Sequence, residues 1–231
     1  MKKISSTLLV FLLLGGTYFA KAQDRPQVKN FSGIVAGGPI DVVVTLGNSE
    51  SCKFEGDSEA IATLLAQVEG STLVIRPQMS WKSWERKYSG KKITAYVNAK
   101  KLSSFTMSGS GSMKVKGAVK TSDLSVVLSG SGNLSLSSNS KTLSAVISGS
   151  GKLNINGEAN NATVTLSGSA VFAGKDFSVS DLTTQMSGSG NVHIAVSENI
   201  NAVISGSASV YYSGNPEVKQ TILGSGKVKK I

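Results

Sequence analysis

The chain has 231 residues, 40% of them apolar but only 6% aromatic, with 25 glycines against 4 prolines. That is enough for a core, and it suits a thin core of aliphatic side chains with turns made by glycine. A single histidine and a single cysteine exclude a His/Cys zinc centre and an intramolecular disulfide.

Residues 1–22 read as a cleaved signal peptide. Lys2 and Lys3 form a charged start, Leu8 to Gly16 is a short apolar run, and Ala20-Lys21-Ala22 is a small-x-small cleavage site. The run is short for a transmembrane helix, and no cysteine follows it to carry a lipid. Cleavage removes three lysines and no acids, so the formal charge falls from +10 to +7. A basic exported chain suits anionic glycans, lipid headgroups or cell-wall polymers. The plainer account is scattered lysines that keep strand edges apart, since no block of basic residues exceeds three.

Phe31 to Val44, with Gly37-Gly38-Pro39 at its middle, reads as two strands around a corner, and Cys52 and Phe54 mark another strand in which Cys52 is a core residue. Asp57-Ser58 is a helix cap, and Ile61, Leu64, Leu65 and Val68 recur at helical spacing, which predicts one short helix to about Gln67. Leu73-Val74-Ile75 and Ile93 to Val97 are further strands. Between them lies Trp81-Lys82-Ser83-Trp84-Glu85-Arg86-Lys87-Tyr88, a basic stretch holding both tryptophans. Trp81, Trp84 and Tyr88 beside Arg86 and Lys87 have the composition of a glycan-binding loop, with rings to stack on sugars and cations to hold acidic groups. The alternative is a lid that folds over the fold and uses the tryptophans as cover.

From Leu102 a repeat takes over. Ser108-Gly109-Ser110-Gly111 returns at Ser129, Ser148 and Ser187, with weaker copies at Ser167, Ser205 and Leu223, in steps of 18 to 21 residues. One residue before each copy stands Met107, Leu128, Ile147, Leu166, Met186, Ile204 or Ile222. Five after its first residue stands Met113, Leu134, Leu153, Phe172, Val192, Val210 or Val228. These apolar positions alternate with Ser, Thr, Asn and Lys, the period of a half-buried strand. Each unit is thus strand, Ser-Gly corner, strand and return turn. One unit cannot bury its apolar face alone, and stacking makes the core. The reading is an all-β, parallel β-helix-like solenoid of about 20-residue coils, a single domain over 23–231, irregular over 23–101 and regular over 102–231.

Phe31 to Gly47, with Gly38-Pro39-Ile40-Asp41-Val42, followed by Ile93 to Val97 and then Leu102 to Gly111, closely resembles the two blocks of the bacterial putative auto-transporter adhesin, head GIN domain family. The resemblance spans nearly all of the chain beyond residue 22. It implies a parallel β-helix-like fold, export in bacteria of the Gram-negative type, and no catalytic residues to carry over. The chain leaves no length for a C-terminal membrane barrel, so self-translocation is not expected.

The chemistry-bearing residues are sparse. His193, the only histidine, aligns with Ser135 on an outward strand position. Asp123, Glu158, Asp176, Asp181, Glu198 and Glu217 fall mostly at return turns and share no register, unlike the gathered carboxylates of a glycan-cleaving enzyme. The expectation is therefore a non-enzymatic protein with no catalytic or metal site and no cofactor. It is exported to the periplasm, outer surface or medium. Its partner is a cell-surface glycan or protein, not nucleic acid, and the mature chain has no membrane span. Two alternatives stand beside adhesion: a structural solenoid module that self-assembles and, more remotely, a polysaccharide-degrading β-helix enzyme. A flat outer face, with Ser108, Ser129, Ser148, Ser167, Ser187 and Ser205 in one column, is the other candidate for binding.

Overall fold

The computed structural model describes residues 28–231, so the expected signal segment lies outside the described residues. The chain forms a β-solenoid of about seven turns with coils of about 19 residues. Six strands carry the regular part: β7 (Ser104–Gly109), β8 (Ser112–Gly130), β9 (Asn133–Gly149), β10 (Lys152–Gly168), β11 (Val171–Gly188) and β12 (Asn191–Gly206). Each pairs in parallel with the next. The apolar columns read from the repeat are the columns of the core. Leu128 lies between Met107 and Ile147, and Leu166 between Ile147 and Met186. Leu134 lies between Met113 and Leu153, and Phe172 between Leu153 and Val192. All of these are buried. A buried aliphatic side chain of this size contributes roughly 1.5–3 kcal/mol, and each is shared between two neighbouring coils.

The Ser-Gly corners hold the coils together through backbone alone. Ser150 N–H donates to the Gly130 carbonyl at 2.9 Å, and Ser131, Ser169 and Ser189 repeat the bond one coil at a time. Gly149 sits at φ +99°, and a Cβ there would stand 2.6 Å from the Gly130 oxygen. A larger residue has neither the conformation nor the space. The last position of the motif points inward. Gly132 and Gly151 are buried there, and in the weaker copies Ala170 and Ala208 fill the same place, with no exposed surface. Those copies are the same corner with a methyl group added to the core.

The connection expected as a return turn stays within the ladder. Strand pairing continues around it, and the unequal repeat steps are absorbed as register slips at Lys114/Ala118, Asn154/Gly157, Gly174/Ser178 and Val179/Asp181. An inserted residue in a paired strand bends it locally. Three of the four slips begin in the stretch just after the inner column of Met113, Leu153 and Phe172, so irregularity is concentrated on one corner of the coil.

The N-terminal half is a worn version of the same coil with a cover. β1 (Gly33–Gly37) lies between β7 and β5 (Thr72–Pro77), and β2 (Asp41–Leu46) lies between β8 and β6 (Ile93–Ala99), all parallel. Two strands then turn antiparallel: β3 (Ser51–Gly56) on β6, and β4 (Leu64–Glu69) on β5. Cys52, on β3, is buried, and burial pushes its thiol up to about 12.

The helix expected to about Gln67 is shorter. α1 is Ser58–Ile61, capped by the Asp57 carboxylate accepting from Ala60 N–H at 3.0 Å. Leu64 to Glu69 instead forms β4, with Leu64 and Ala66 buried. Beyond Ile61 the helical spacing of Leu64, Leu65 and Val68 loses to a hairpin through Gly70, which gives these three residues a full ladder against β5.

A second helix, α2 (Trp81–Lys87), replaces the expected loop, with Ser80 as its cap. Trp84 is fully buried, and its indole N–H donates to Thr63 Oγ1 at 2.9 Å. Its ring meets Trp81 edge-on with centroids 5.8 Å apart, and Tyr88 with centroids 5.3 Å apart.

Three substitutions test this architecture. Leu128→Asp is expected to prevent folding, because it leaves an unpaired charge in the core; a near-native melt would contradict the register. Gly149→Ala should lower unfolding free energy by about 1–3 kcal/mol, whereas Ser148→Ala beside it should stay within about 0.5 kcal/mol. Trp84→Ala should cost about 3–5 kcal/mol in chemical denaturation, with the strand signal in circular dichroism kept below the transition.

Candidate functional site

The tryptophan segment divides into covered and open residues. Trp84 and Tyr88 are buried, so neither ring face is offered to a ligand. Of the five expected contacts, Trp81, Arg86 and Lys87 are the accessible ones; Trp84 on α2 and Tyr88 at its C-cap are packed inside. Trp81 is half-buried and lies over the first corner of the solenoid. A Cβ on Gly38 would stand 2.3 Å from its ring. Arg86 and Lys87 are exposed. Lys87 forms a 3.3 Å ion pair with Glu59, and its Nζ lies 5.0 Å from the Tyr88 ring centre. The opposite charge and the aromatic hydroxyl raise the Lys87 pKa, the contact with Tyr88 contributing most. Lys91 and Asp57 pair at 2.8 Å at the foot of the same cover. These contacts fasten α2 to α1.

The serine column is in register: Ser108, Ser129, Ser148, Ser167, Ser187 and Ser205 oppose one another from coil to coil. Thr106, Val127, Val146, Thr165, Gln185 and Val203 make the neighbouring column, in which Val146 and Val203 are exposed by 41% and 44%. These two columns carry no charge from β7 to β12, and the first acids stand at the edge of the face, at Asp123 and Asp181. The corner N–H groups beside it bond to backbone carbonyls.

The concave surface lies elsewhere, on the corner where the register slips. One groove, of about 740 Å³, crosses β9 to β13 (Ser209–Ser213) and is lined by Asn139, Glu158, Asn160, Ser178, Ser197 and Asn215, among others. Ser140 also lines it, and its Oγ is buried without a partner among the described residues. A second groove, of about 490 Å³, lies on the adjoining face and includes Lys114, Asn154, Asn156, Lys175, Asp176 and His193. His193 is on the outward position expected of it, and its ring stacks on Tyr211 with centroids 4.8 Å apart and planes 17° apart.

Amides and hydroxyls dominate the first groove, so donors and acceptors are interleaved there; the second mixes Ser135, Ser137, Asn154 and Asn156 with apolar and charged side chains. Glu158 is the carboxylate of the first groove, and it accepts from Asn139 Nδ2 at 2.9 Å. Asp176 is that of the second. Other carboxylates serve as rungs between coils: Asp123 accepts from Thr142 Oγ1 at 2.6 Å, and Asp181 from Asn199 Nδ2 at 2.7 Å. Among the described residues no three His, Cys, Asp or Glu side chains gather to hold a metal, and no helix is long and apolar enough to cross a membrane. The grooves were missed in the sequence, where their only signals are the unequal repeat steps and the asparagines beside them.

Similar solved structures share this solenoid. A putative adhesin of Bacteroides fragilis has 22% identity and a TM-score of 0.79, covering 88% of this chain and 94% of its own. A putative lipid binding protein of Parabacteroides distasonis has 21% identity and a TM-score of 0.70, with 90% and 95% covered. A putative adhesin of Parabacteroides merdae has 19% identity and a TM-score of 0.63, with 88% and 93% covered. At these identities the likeness is one of fold. No curated protein matches the chain. The model of the family described as "Putative auto-transporter adhesin, head GIN domain" matches residues 30–216, from the worn first coil to just past β13, and the chain belongs to that family.

Proposed function

We propose that this protein is an exported, non-catalytic adhesin that holds a cell-surface glycan in the grooves of its slipped corner. The observation that carries the reading is the lining of those grooves. The interleaved amides and hydroxyls of the first groove, with the serines and asparagines of the second, match a polyhydroxylated chain, and each groove has one carboxylate rather than the facing pair that glycoside hydrolysis uses. Of the tryptophan segment, Trp81, Arg86 and Lys87 form a secondary contact region, and Trp84 and Tyr88 hold it in place. Export rests on residues 1–22 acting as a cleaved signal, which delivers the single solenoid domain of residues 23–231 to the periplasm, the outer surface or the medium.

A second reading, self-association, has one observation in its favour. In β14 (Glu217–Gly224) and β15 (Lys227–Lys230) the inner columns continue as Val218, Ile222 and Val228, which are only half-buried, and Leu223 is 68% exposed. Lys219, Lys227, Lys229 and Lys230 on the same coil oppose edge pairing.

A glycan array, with anionic lipid vesicles as a parallel surface, separates the readings. The expected result is saturable binding to a defined class of glycans with no new reducing ends after prolonged incubation. Release of reducing ends would make the protein an enzyme. Binding to vesicles alone would move the partner to lipid. Growth of particle size with concentration, without any ligand, would favour self-association.

A further inference from the structure

One outward column runs through the second groove. Lys114, Ser135, Asn154, Ala173, His193 and Tyr211 oppose one another on successive coils. Its members meet in pairs: Asn154 Nδ2 donates to Ser135 Oγ at 3.3 Å, and His193 stacks on Tyr211. Between the pairs stands Ala173, whose side chain ends at Cβ. Strands are spaced by about 4.8 Å, and the His193–Tyr211 centroid distance has that same value. The two rings are therefore successive rungs, with their planes set across the solenoid axis. One face of the imidazole is covered by Tyr211. The other looks along the axis, over Ala173, towards Asn154 two coils away. The missing rung leaves a slot one ring thick, and Ala173, Asn154 and His193 all line the open groove.

We infer that this slot seats one pyranose ring of a glycan, with its C–H face on the His193 imidazole and its hydroxyls on the Asn154 amide; the inference rests on the glycan reading above. The chemistry of the walls selects the occupant. A pyranose is apolar on its faces and polar on its rim, so the imidazole takes the face. Asn154 supplies both a donor and an acceptor to the rim, and the exposed Lys175 and Asp176 flank the opening. A peptide aromatic ring would match the imidazole but leave these polar groups without partners.

His193 is the only histidine, so its two carbon-bound ring protons give NMR signals that no other imidazole overlaps. The experiment titrates the protein with four tetrasaccharides, of N-acetylglucosamine, glucose, mannose and galacturonate, and with a short tyrosine-containing peptide. At least one sugar is expected to move the His193 signals saturably. Ala173→Tyr, which fills the missing rung from an outward position, is expected to weaken that sugar by about tenfold with melting unchanged, and His193→Ala should weaken it similarly. Glycan binding that leaves the His193 signals unmoved, with affinity unchanged in both variants, overturns the slot but keeps the glycan reading. Absence of binding to these sugars and to the whole glycan array overturns both. Movement by the peptide and not by the sugars overturns the choice of ligand.

Discussion

The structure depends on the close approach of backbones at the Ser-Gly corners. Each corner carbonyl accepts from the coil above, at a distance that leaves no room for a Cβ on the glycine next in the stack. This contact sets the coil spacing, and the spacing sets everything laid on it. Inner columns such as Leu128-Ile147-Leu166 lie opposite one another because the corners hold them in register, and all are buried. A solenoid of this kind is built from nearest-neighbour terms, so every coil contributes its own corner bonds, and a fault in one is felt by the two beside it.

Strict stacking on one corner makes the other corner tolerant. Coils of unequal length share the same Ser-Gly register, so their surplus residues collect where the strand bends back. The slips at Lys114/Ala118, Asn154/Gly157 and Gly174/Ser178 are that surplus. They break an otherwise flat surface and produce the grooves. The fold thereby separates two tasks: invariant geometry on one edge, and variation, with the polar side chains that exploit it, on another. Bulged positions are common places for function for this reason.

The regular coils were legible in the sequence because two signals coincided, the repeat and the period-two alternation. The columns from Met107 to Ile222 and from Met113 to Val228 could be written down residue by residue. The cover was less legible. Leu64, Leu65 and Val68 continue the helical spacing of Ile61 yet also suit a strand, and only the partner strand Thr72–Pro77 decides between the two. The tryptophan segment has a composition shared by a binding loop and a lid, and the difference lies in what packs against it. Trp84 finds Thr63, and Trp81 finds the bare backbone of Gly37 and Gly38. Neither partner is near in sequence. The slot beside His193 was the least visible, since it consists of a side chain that is missing between two that are present.

The neutral face has an electrostatic consequence. Lys114, Lys116, Lys120, Lys141, Lys152 and Lys175 all lie off the Ser/Thr/Val columns, as do Asp123, Glu158, Asp176, Asp181 and Glu198, so the regular coils carry charges of both signs on their remaining sides. Contacts made by those sides are screened by salt. The hydroxyl and methyl groups of the uncharged columns interact weakly with ions, so what they meet is chosen by shape and hydration, largely independent of salt.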